Sequence, residues 1–569
     1  MLKVGFGGDP KNDSQALMAI ENSVQIGRLA GRIPKRSEIQ NGTTAIQKSH
    51  LTIQVVRNFA AETVTRWAEN FLELAGIKAV FSFSDYDDSL TSPPMGNSDL
   101  IIIMLDYGRY DKLDEEFQRW LLTRFEYLRN ASDSRILVIG PEESSHELES
   151  FNTKIESALN HLPGFIFVSP RLEDPCLESE ATASISPYYG KRAIEMARVL
   201  SWHWIPVAMD RLVRMLILDL DNTLYNGVIA ENGLAGIQFS NAHCSTLKAL
   251  KGLREKGLIL AISSKNERED VDALIDGGYL SPLARTDFLA IQANWNSKSS
   301  QVAKILKIAN FSADHAVMLD DNPGELVEVL NSFPTLGVAL AASAETVRNL
   351  VEWHPGLWRI SASDADLIRL EDLAANEFRR TATISKNQNP FQQLETVVTI
   401  NTDPSEQLRR LAELSSKTTQ FNTNLSRLNE VELLRRTSLT PCLVMSFELK
   451  DRFSNSGIVG FVSGKLEGDL LTIDEVAVSC RALGRGIEDV VLNRVLCDFV
   501  DRTGASQVEI LYTQGSRNRP ALDWLSRTSH PISESRWKWD SDKVDVNSNV
   551  RVDVLNAETS STQKALKGD

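Results

Sequence analysis

A chain of 569 residues exceeds what one hydrophobic core fills and divides into about three or four domain-sized units. With 42% hydrophobic and 24% charged residues it has the make-up of a globular protein, and its formal charge of −15 argues against sequence-independent nucleic-acid binding, which needs Lys and Arg to neutralise phosphates. No apolar run approaches the roughly 20 residues of a membrane helix, and the opening "MLKVGFGGDPKND" turns polar too early for a signal peptide, so a cytoplasmic protein without membrane contact is expected.

Residues 1–50 form an N-terminal extension of uncertain role with one candidate helix, "SQALMAIENSVQIGRLAGRI". From 51 to 212 strands ("HLTIQVV", "DLIIIMLD", "RILVIG", "GFIFVS") alternate with helical periods ("AAETVTRWAENFLELAGI", "KRAIEMARVLSWHWI"), the pattern of a parallel α/β sheet. A second such run fills 213–358, from "RMLILDLD" to "GELVEVLNSF". A charged linker spans 359–394. From 395 to 545 two amphipathic helices precede three successive strands, a glycine-opened helix and the strand "QVEILYT", an α+β arrangement. The tail, 546–569, reads as disordered. The predicted fold class is therefore multidomain α/β, with two Rossmann-like three-layer units followed by an α+β domain.

At the tip of the apolar run "LILDLDNTLYNGV", Asp219 and Asp221 flank Leu220 and point to one face of a strand. Like charges so close require a cation or proton between them, and hard cations choose carboxylate oxygens, so a Mg²⁺ site is expected. Three later signals end successive predicted strands, where open α/β sheets place their sites: Ser264 in "LAISSKN", Lys298 in "NWNSKSS", and Asp320 with Asp321 in "VMLDDNP". In order and context these resemble the four motifs of the haloacid-dehalogenase (HAD) phosphohydrolases. Asp219 then attacks phosphorus, Asp221 serves as acid and base, and Ser264 and Lys298 hold phosphoryl oxygens. The resemblance implies a metal shell from Asp219, the backbone carbonyl of Asp221 and the Asp321 carboxylate, with Asp320 beside Lys298. The stretch "YNGVIAENGLAGI" reads as a hairpin flap turned at Asn232-Gly233, and neither gap between the motifs holds a sizeable cap domain.

The five cysteines, Cys176, Cys244, Cys442, Cys480 and Cys497, lie far apart without a CxxC pair, so reduced thiols are expected and no disulfide framework or zinc site. Cys480 precedes Arg481-x-x-Gly484-x-Gly486 at a strand end. Glycines there let backbone N–H groups approach a pyrophosphate or pantetheine arm, and the segment resembles the acyl-CoA-binding motif of GNAT acyltransferases, with Asn518 on the helix after the closing strand. Beside a guanidinium and a helix N-terminus, the Cys480 thiol is a candidate acyl carrier. His203 and His315 are expected to serve packing.

Taken together, "LILDLDNTLYNGVIAENGLAGI", "ISSKN", "NWNSK", "MLDDNP", "TTQFNTN", "DRFSNSGIVG" and "SCRALGRGIE" resemble the FkbH-like proteins of HAD subfamily IIIC, over about residues 51–530. That resemblance implies an SGNH-hydrolase-like first domain, a capless HAD-like phosphatase and a GNAT-like end. It implies also that a glyceryl unit is taken from 1,3-bisphosphoglycerate, dephosphorylated, and loaded through a cysteine thioester onto the phosphopantetheine arm of an acyl carrier protein in polyketide or related secondary metabolism. Two departures stand out: Tyr225-Asn226 replaces the family's common Trp-Gly, and "VVRNFAAE" lacks the Gly-Asp-Ser of an SGNH nucleophile, so the first domain is expected to be noncatalytic and at most a docking surface. Arg452, Arg481 and Arg485 are candidate residues for docking an acidic carrier. Two other readings stay open: a phosphatase fused to a CoA-dependent N- or O-acyltransferase of surface-polysaccharide or secondary metabolism, and a noncatalytic module that binds a carrier arm.

Overall fold

The computed structural model describes residues 10–35, 38–39, 49–91, 98–172, 186–310, 312–361, 368–369, 371–373, 375, 394–402, 404–439, 443–483, 485, 487–515, 517–540 and 551–555. The chain forms two compact units, Met1–Ser363 and Asp364–Asp569.

The first unit holds two parallel sheets. One consists of β1 (Ser49–Arg57), β2 (Ile77–Tyr86), β3 (Leu100–Met104), β4 (Arg135–Ile139) and β5 (Phe165–Val168), in the order β2-β1-β3-β4-β5. The other consists of β6 (Met215–Leu218), β7 (Ile259–Ser264), β8 (Phe288–Ala293), β9 (Ala316–Asp320) and β10 (Gly337–Leu340), in the order β10-β9-β6-β7-β8. Strands such as "MLIL" and "LIIIM" are buried along their whole length, as expected where helices cover both faces.

Residues of both α/β runs enter one apolar cluster, and a second cluster lies within the first run alone. The helix Gly190–Val199, which continues through a π-helical stretch to Ala208, carries the buried Trp202, whose Nε1 donates to the Phe71 carbonyl at 2.9 Å. His203 stacks between Trp353 and Trp358, the packing role expected of it. His315 closes a short 3-10 turn before β9.

The N-terminal extension belongs to this unit. Its helix, Pro10–Ala30, lies against β10 and the helices Pro323–Ser332 and Ala344–Trp353, and Arg198 donates to the carbonyls of Leu29, Ala30 and Arg32.

The second unit is an eight-stranded mixed sheet. Its strands are β11 (Val397–Asn401), β12 (Val444–Lys450), β13 (Asn455–Glu467), β14 (Leu470–Val478), β15 (Gln507–Leu511), β16 (Ser529–Ser533), β17 (Arg536–Trp539) and β18 (Arg551–Leu555), in the order β16-β17-β15-β14-β13-β12-β11-β18. Two expectations are corrected here. Residues 551–555 are a strand paired in parallel with β11, not disordered tail; the rest of the tail lies outside the described residues. Part of the expected linker is built into this unit, since Asp372 accepts from Ser454, Ser456 and Arg485.

Strands β14 and β15 pair only from Leu470 to Ile473. Beyond that point β14 turns to residues 421–423: the Thr423 amide donates to the Val476 carbonyl and the Val478 amide to the Phe421 carbonyl, while the Thr513 amide, just after β15, donates to the Thr423 carbonyl.

Candidate active site

In the second sheet the chain runs from β6 outward to β7 and β8, then returns to β9 on the other side of β6. The switch point therefore lies between β6 and β9, where open parallel sheets leave a crevice. Asp219 follows β6, its amide still in the ladder with the Leu319 carbonyl at 2.9 Å. Asp320 ends β9, Asp321 follows it, and Ser264 ends β7. Lys298 opens the helix Lys298–Ala309, whose first turn is capped by the Ser297 hydroxyl.

These residues converge. The Lys298 ammonium, 3% exposed at its side chain, lies 2.5 Å from Asp219 Oδ1 and 3.0 Å from Asp320 Oδ2 and donates to the Ser263 carbonyl at 2.6 Å. Gln301 holds the lysine helix to the sheet: its Oε1 accepts from the Ser263 hydroxyl at 2.8 Å, and its Nε2 donates to the carbonyls of Ser264 and Asn294.

Carboxylate oxygens of Asp219, Asp320 and Asp321 all lie within 4.8 Å of one another. Three acids against one ammonium leave the cluster short of positive charge. Burial, and the neighbouring Asp320, push the Asp219 carboxyl up to about 7 against the pull of Lys298. Burial likewise raises Asp320 and Asp321. For Lys298, burial works against the ammonium, but Asp219 and Asp320 outweigh it and its pKa is raised. An all-oxygen, acid-rich donor set of this size suits a hard divalent cation such as Mg²⁺.

The Asp221 side chain lies outside this carboxylate cluster and has partners of its own. Its Oδ1 accepts from the Tyr225 hydroxyl at 2.7 Å and the Ile229 amide at 3.3 Å, and its Oδ2 accepts from Asn266 Nδ2 at 2.9 Å. The carboxylates gathered where a metal could sit are those of Asp219, Asp320 and Asp321, which leaves the Asp221 side chain to its proton-transfer role and only its backbone carbonyl to the expected shell. Burial first, then Asp221, raise the Tyr225 phenol far above its usual range, which keeps it a donor. Asn266 Nδ2 also reaches Ser264 Oγ at 2.9 Å, leaving the serine proton to donate elsewhere. Neither Tyr225 nor Asn266 was singled out for such a role by the sequence; the signal for Asn266 was its place in "ISSKN", two residues after the serine.

The expected hairpin flap is instead helical. Residues Ile229–Gly236 form helical turns broken at Gly233, whose φ is 63°, and strand-like pairing there is confined to the single bridges Asp221 with Tyr225 and Asn226 with Gln238. Trp295, 60% exposed on the loop after β8, donates to Glu267 at 2.6 Å.

In the first sheet the switch point is closed. Asn58, directly after β1, is buried; its Oδ1 accepts from the Asp106 amide at 2.7 Å and its Nδ2 donates to the Asp106 carbonyl.

In the second unit Cys480 is half-buried, in a turn after β14, and the following helix starts only at Glu488; the thiol is not at its first turn. Gly484 and Gly486 lie outside the described residues. The Asn518 side chain, expected to face a cofactor, is engaged within the unit. Its amide donates to the Asn422 and Thr513 carbonyls and its oxygen accepts from the Gly515 amide and the Tyr512 hydroxyl, which fills its capacity. Nor are two of the three docking arginines open: Arg481 is buried, and Arg485 is paired with Asp372 and Asp451. Arg452 is exposed, its guanidinium over the Phe453 ring.

No family model matches the chain, and no curated protein matches it. Among solved structures, it is similar to the N-terminal part of the protein BF1531 from Bacteroides fragilis, containing a phosphatase domain complexed with Mg, at 17% identity and TM-score 0.43, over 59% of this chain and 99% of that one. It is similar also to the ribosomal-protein-S18-alanine N-acetyltransferase of Escherichia coli, at 16% identity and TM-score 0.18, over 25% of this chain and 89% of that one. A third is a GCN5-related glucosamine N-acetyltransferase region of a fungal multidomain GH3 β-N-acetylglucosaminidase, at 13% identity and TM-score 0.18, over 90% of this chain and 67% of that one. These likenesses are distant, and the chemistry rests on the side chains described above. Among the described residues, no helix is long and apolar enough to cross a membrane.

Proposed function

We propose that the first unit is a Mg²⁺-dependent phosphatase acting through an aspartyl-phosphate, and that the second unit handles an acyl group on Cys480. The observation that carries the first half is the Lys298-centred cluster of Asp219, Asp320 and Asp321 at a sheet switch point. A bound divalent ion supplies charge neutralisation of phosphoryl oxygens. The chain's own residues do the rest. Asp219 attacks phosphorus, forming an O–P bond while the ester oxygen leaves with its electron pair. Asp221, oriented by Tyr225 and Asn266, protonates that oxygen and then takes a proton from the water that frees phosphate. The Ser264 hydroxyl and Lys298 ammonium donate to phosphoryl oxygens.

For the second half, the FkbH-like resemblance supports a glyceryl unit drawn from 1,3-bisphosphoglycerate and passed from Cys480 to the phosphopantetheine of an acyl carrier protein. The CoA-dependent alternative is less well supported, because the backbone edge of β14 facing β15 is already taken by residues 421–423 and offers a pantetheine arm few free hydrogen-bonding groups.

Phosphate release with Mg²⁺, measured for the wild type and Asp219→Asn, tests the phosphatase. Activity surviving in the variant refutes the aspartyl-phosphate. Intact mass after incubation with 1,3-bisphosphoglycerate, beside an acetyl-CoA turnover assay, tests the rest. An adduct lost in Cys480→Ala supports the thioester, acetyl-CoA turnover without adduct supports the CoA enzyme, and inertness to both with retained carrier binding supports a noncatalytic module.

A further inference from the structure

Next to Cys480 the second unit holds a buried charge that makes no ion pair among the described residues. Arg481 is 7% exposed, and its Nε and Nη1 are buried with no hydrogen-bond partner among the described residues. The charged groups acting on it are Arg410, Arg369, Asp372 and the Cys480 thiol. The acids nearby are committed elsewhere. Both oxygens of Asp372 accept from Arg485, at 2.9 and 3.0 Å, and one also accepts from Ser454 and Ser456. Asp451 pairs with Arg485, and Glu413 with Arg410 at 3.0 Å. The Arg410 Nε and Nη2 are spent on the Ile458 carbonyl. Burial, then the like charges of Arg410 and Arg369, pull the Arg481 guanidinium down to about 9, so it remains charged at neutral pH. Buried guanidinium groups with idle N–H donors are rare because leaving such a charge unpaired is costly; the shape that satisfies them is a planar or tetrahedral oxyanion.

We propose that Arg481, backed by the charges of Arg410 and Arg369, binds an oxyanion carried by the acyl unit on Cys480, so that the domain selects acyl groups bearing a phosphate or carboxylate. This rests on the reading of Cys480 as acyl acceptor. The acyl unit is favoured over the carrier arm as the anion's source by length. A pantetheine chain is about as long as four extended residues, roughly 14 Å, so an arm whose thiol meets Cys480 holds its phosphate far from the adjacent arginine. In the transfer itself, the Cys480 sulfur attacks the acyl carbon of an acyl phosphate. The S–C bond forms, the C–O bond to phosphate breaks, phosphate leaves with the electron pair, and the thiol proton passes to solvent.

Two measurements on the full chain test this. The first is the rate of iodoacetamide alkylation at Cys480, read by peptide mass, with 3-phosphoglycerate, dephospho-CoA or glycerol as protecting probes. The expected result is protection by millimolar 3-phosphoglycerate and not by glycerol, lost in Arg481→Gln and partly kept in Arg481→Lys, which guards against mere misfolding. Absence of protection in the wild type, or protection that survives in Arg481→Gln, overturns the proposal; so does protection by dephospho-CoA but not by 3-phosphoglycerate, which reassigns Arg481 to a cofactor diphosphate. The second is the rate of adduct formation from 1,3-bisphosphoglycerate relative to acetyl phosphate, two acyl phosphates that differ in bearing a second anion. That preference should fall about 100-fold in Arg481→Gln, and an unchanged preference overturns selection. If 3-phosphoglycerate protects but neither donor leaves an adduct, the oxyanion site stands and it is the thioester reading of Cys480 that falls.

Discussion

Asn266 joins the two halves of the proposed phosphatase crevice, because one amide nitrogen reaches both Asp221 and Ser264 at 2.9 Å. Replacing it with Ala leaves Asp221 held only from the Tyr225 and Ile229 side and frees the serine hydroxyl to rotate. The expected outcome for Asn266→Ala is a kcat for phosphate release lower by about 10- to 100-fold with KM changed less, because a misplaced proton donor costs turnover more than binding. Steady-state kinetics with a generic phosphate ester measure this, and a loss confined to KM contradicts it. Lys298 makes the opposite case, in which the cost falls on the fold. Its removal leaves two buried acids and the half-buried Asp321 facing one another, so Lys298→Met should destabilise the first unit by about 3–5 kcal/mol without metal, and saturating Mg²⁺ should restore part of that in thermal unfolding. At this scale the catalytic acids and the lysine were legible, since each ends a strand or opens a helix at the same rim. Whether a side chain has bonding capacity left was not: Asn518 and Arg481 both sit at motif positions, yet one is saturated and the other idle.

Among elements, the parallel runs declared themselves through unbroken apolar strands, and the misreadings arose where local signals were ambiguous. Asn232-Gly233 between apolar residues is a strong hairpin cue, but here the positive φ of Gly233 interrupts a helical stretch. The strand Arg551–Leu555 is only five residues long, and what makes it a strand is the free edge of β11, a partner about 150 positions away that periodicity cannot reveal. Within the same sheet Gly460 marks a close approach. A Cβ there would lie 2.1 Å from the Phe447 ring, and Phe447 is 1% exposed with nowhere to retreat. Gly460→Ala should therefore cost about 2–3 kcal/mol through overpacking, seen as a lower midpoint in chemical denaturation; an unchanged midpoint means that the sheet yields there at little cost.

For the whole molecule, the partition into Met1–Ser363 and Asp364–Asp569 predicts two calorimetric transitions that respond to different variables. The acids proposed to hold the metal, Asp219, Asp320 and Asp321, all lie in the first unit, so Mg²⁺ should raise that transition alone, by about 2.7 kcal/mol at a hundredfold excess over Kd. The second unit carries its own titrating group. Glu475 is fully buried, and burial pushes its carboxyl from 4.5 up to about 7 despite hydrogen bonds from Asn422 and Ser415 that favour the charged form. The folded state then holds the proton more tightly than the unfolded chain, so the stabilisation is complete below about 4.5 and fades as pH rises through 7. Over that window the second transition should lose up to about 3 kcal/mol. Glu475→Gln, whose amide oxygen still accepts from Asn422 while the Ser415 hydroxyl turns to accept from its amide nitrogen, should flatten this slope while leaving the Mg²⁺ response of the first transition intact. Scanning calorimetry at pH 5 and 8, with and without Mg²⁺, separates the two effects. If both transitions move together under either variable, the units unfold as one and the partition does not describe their energetics.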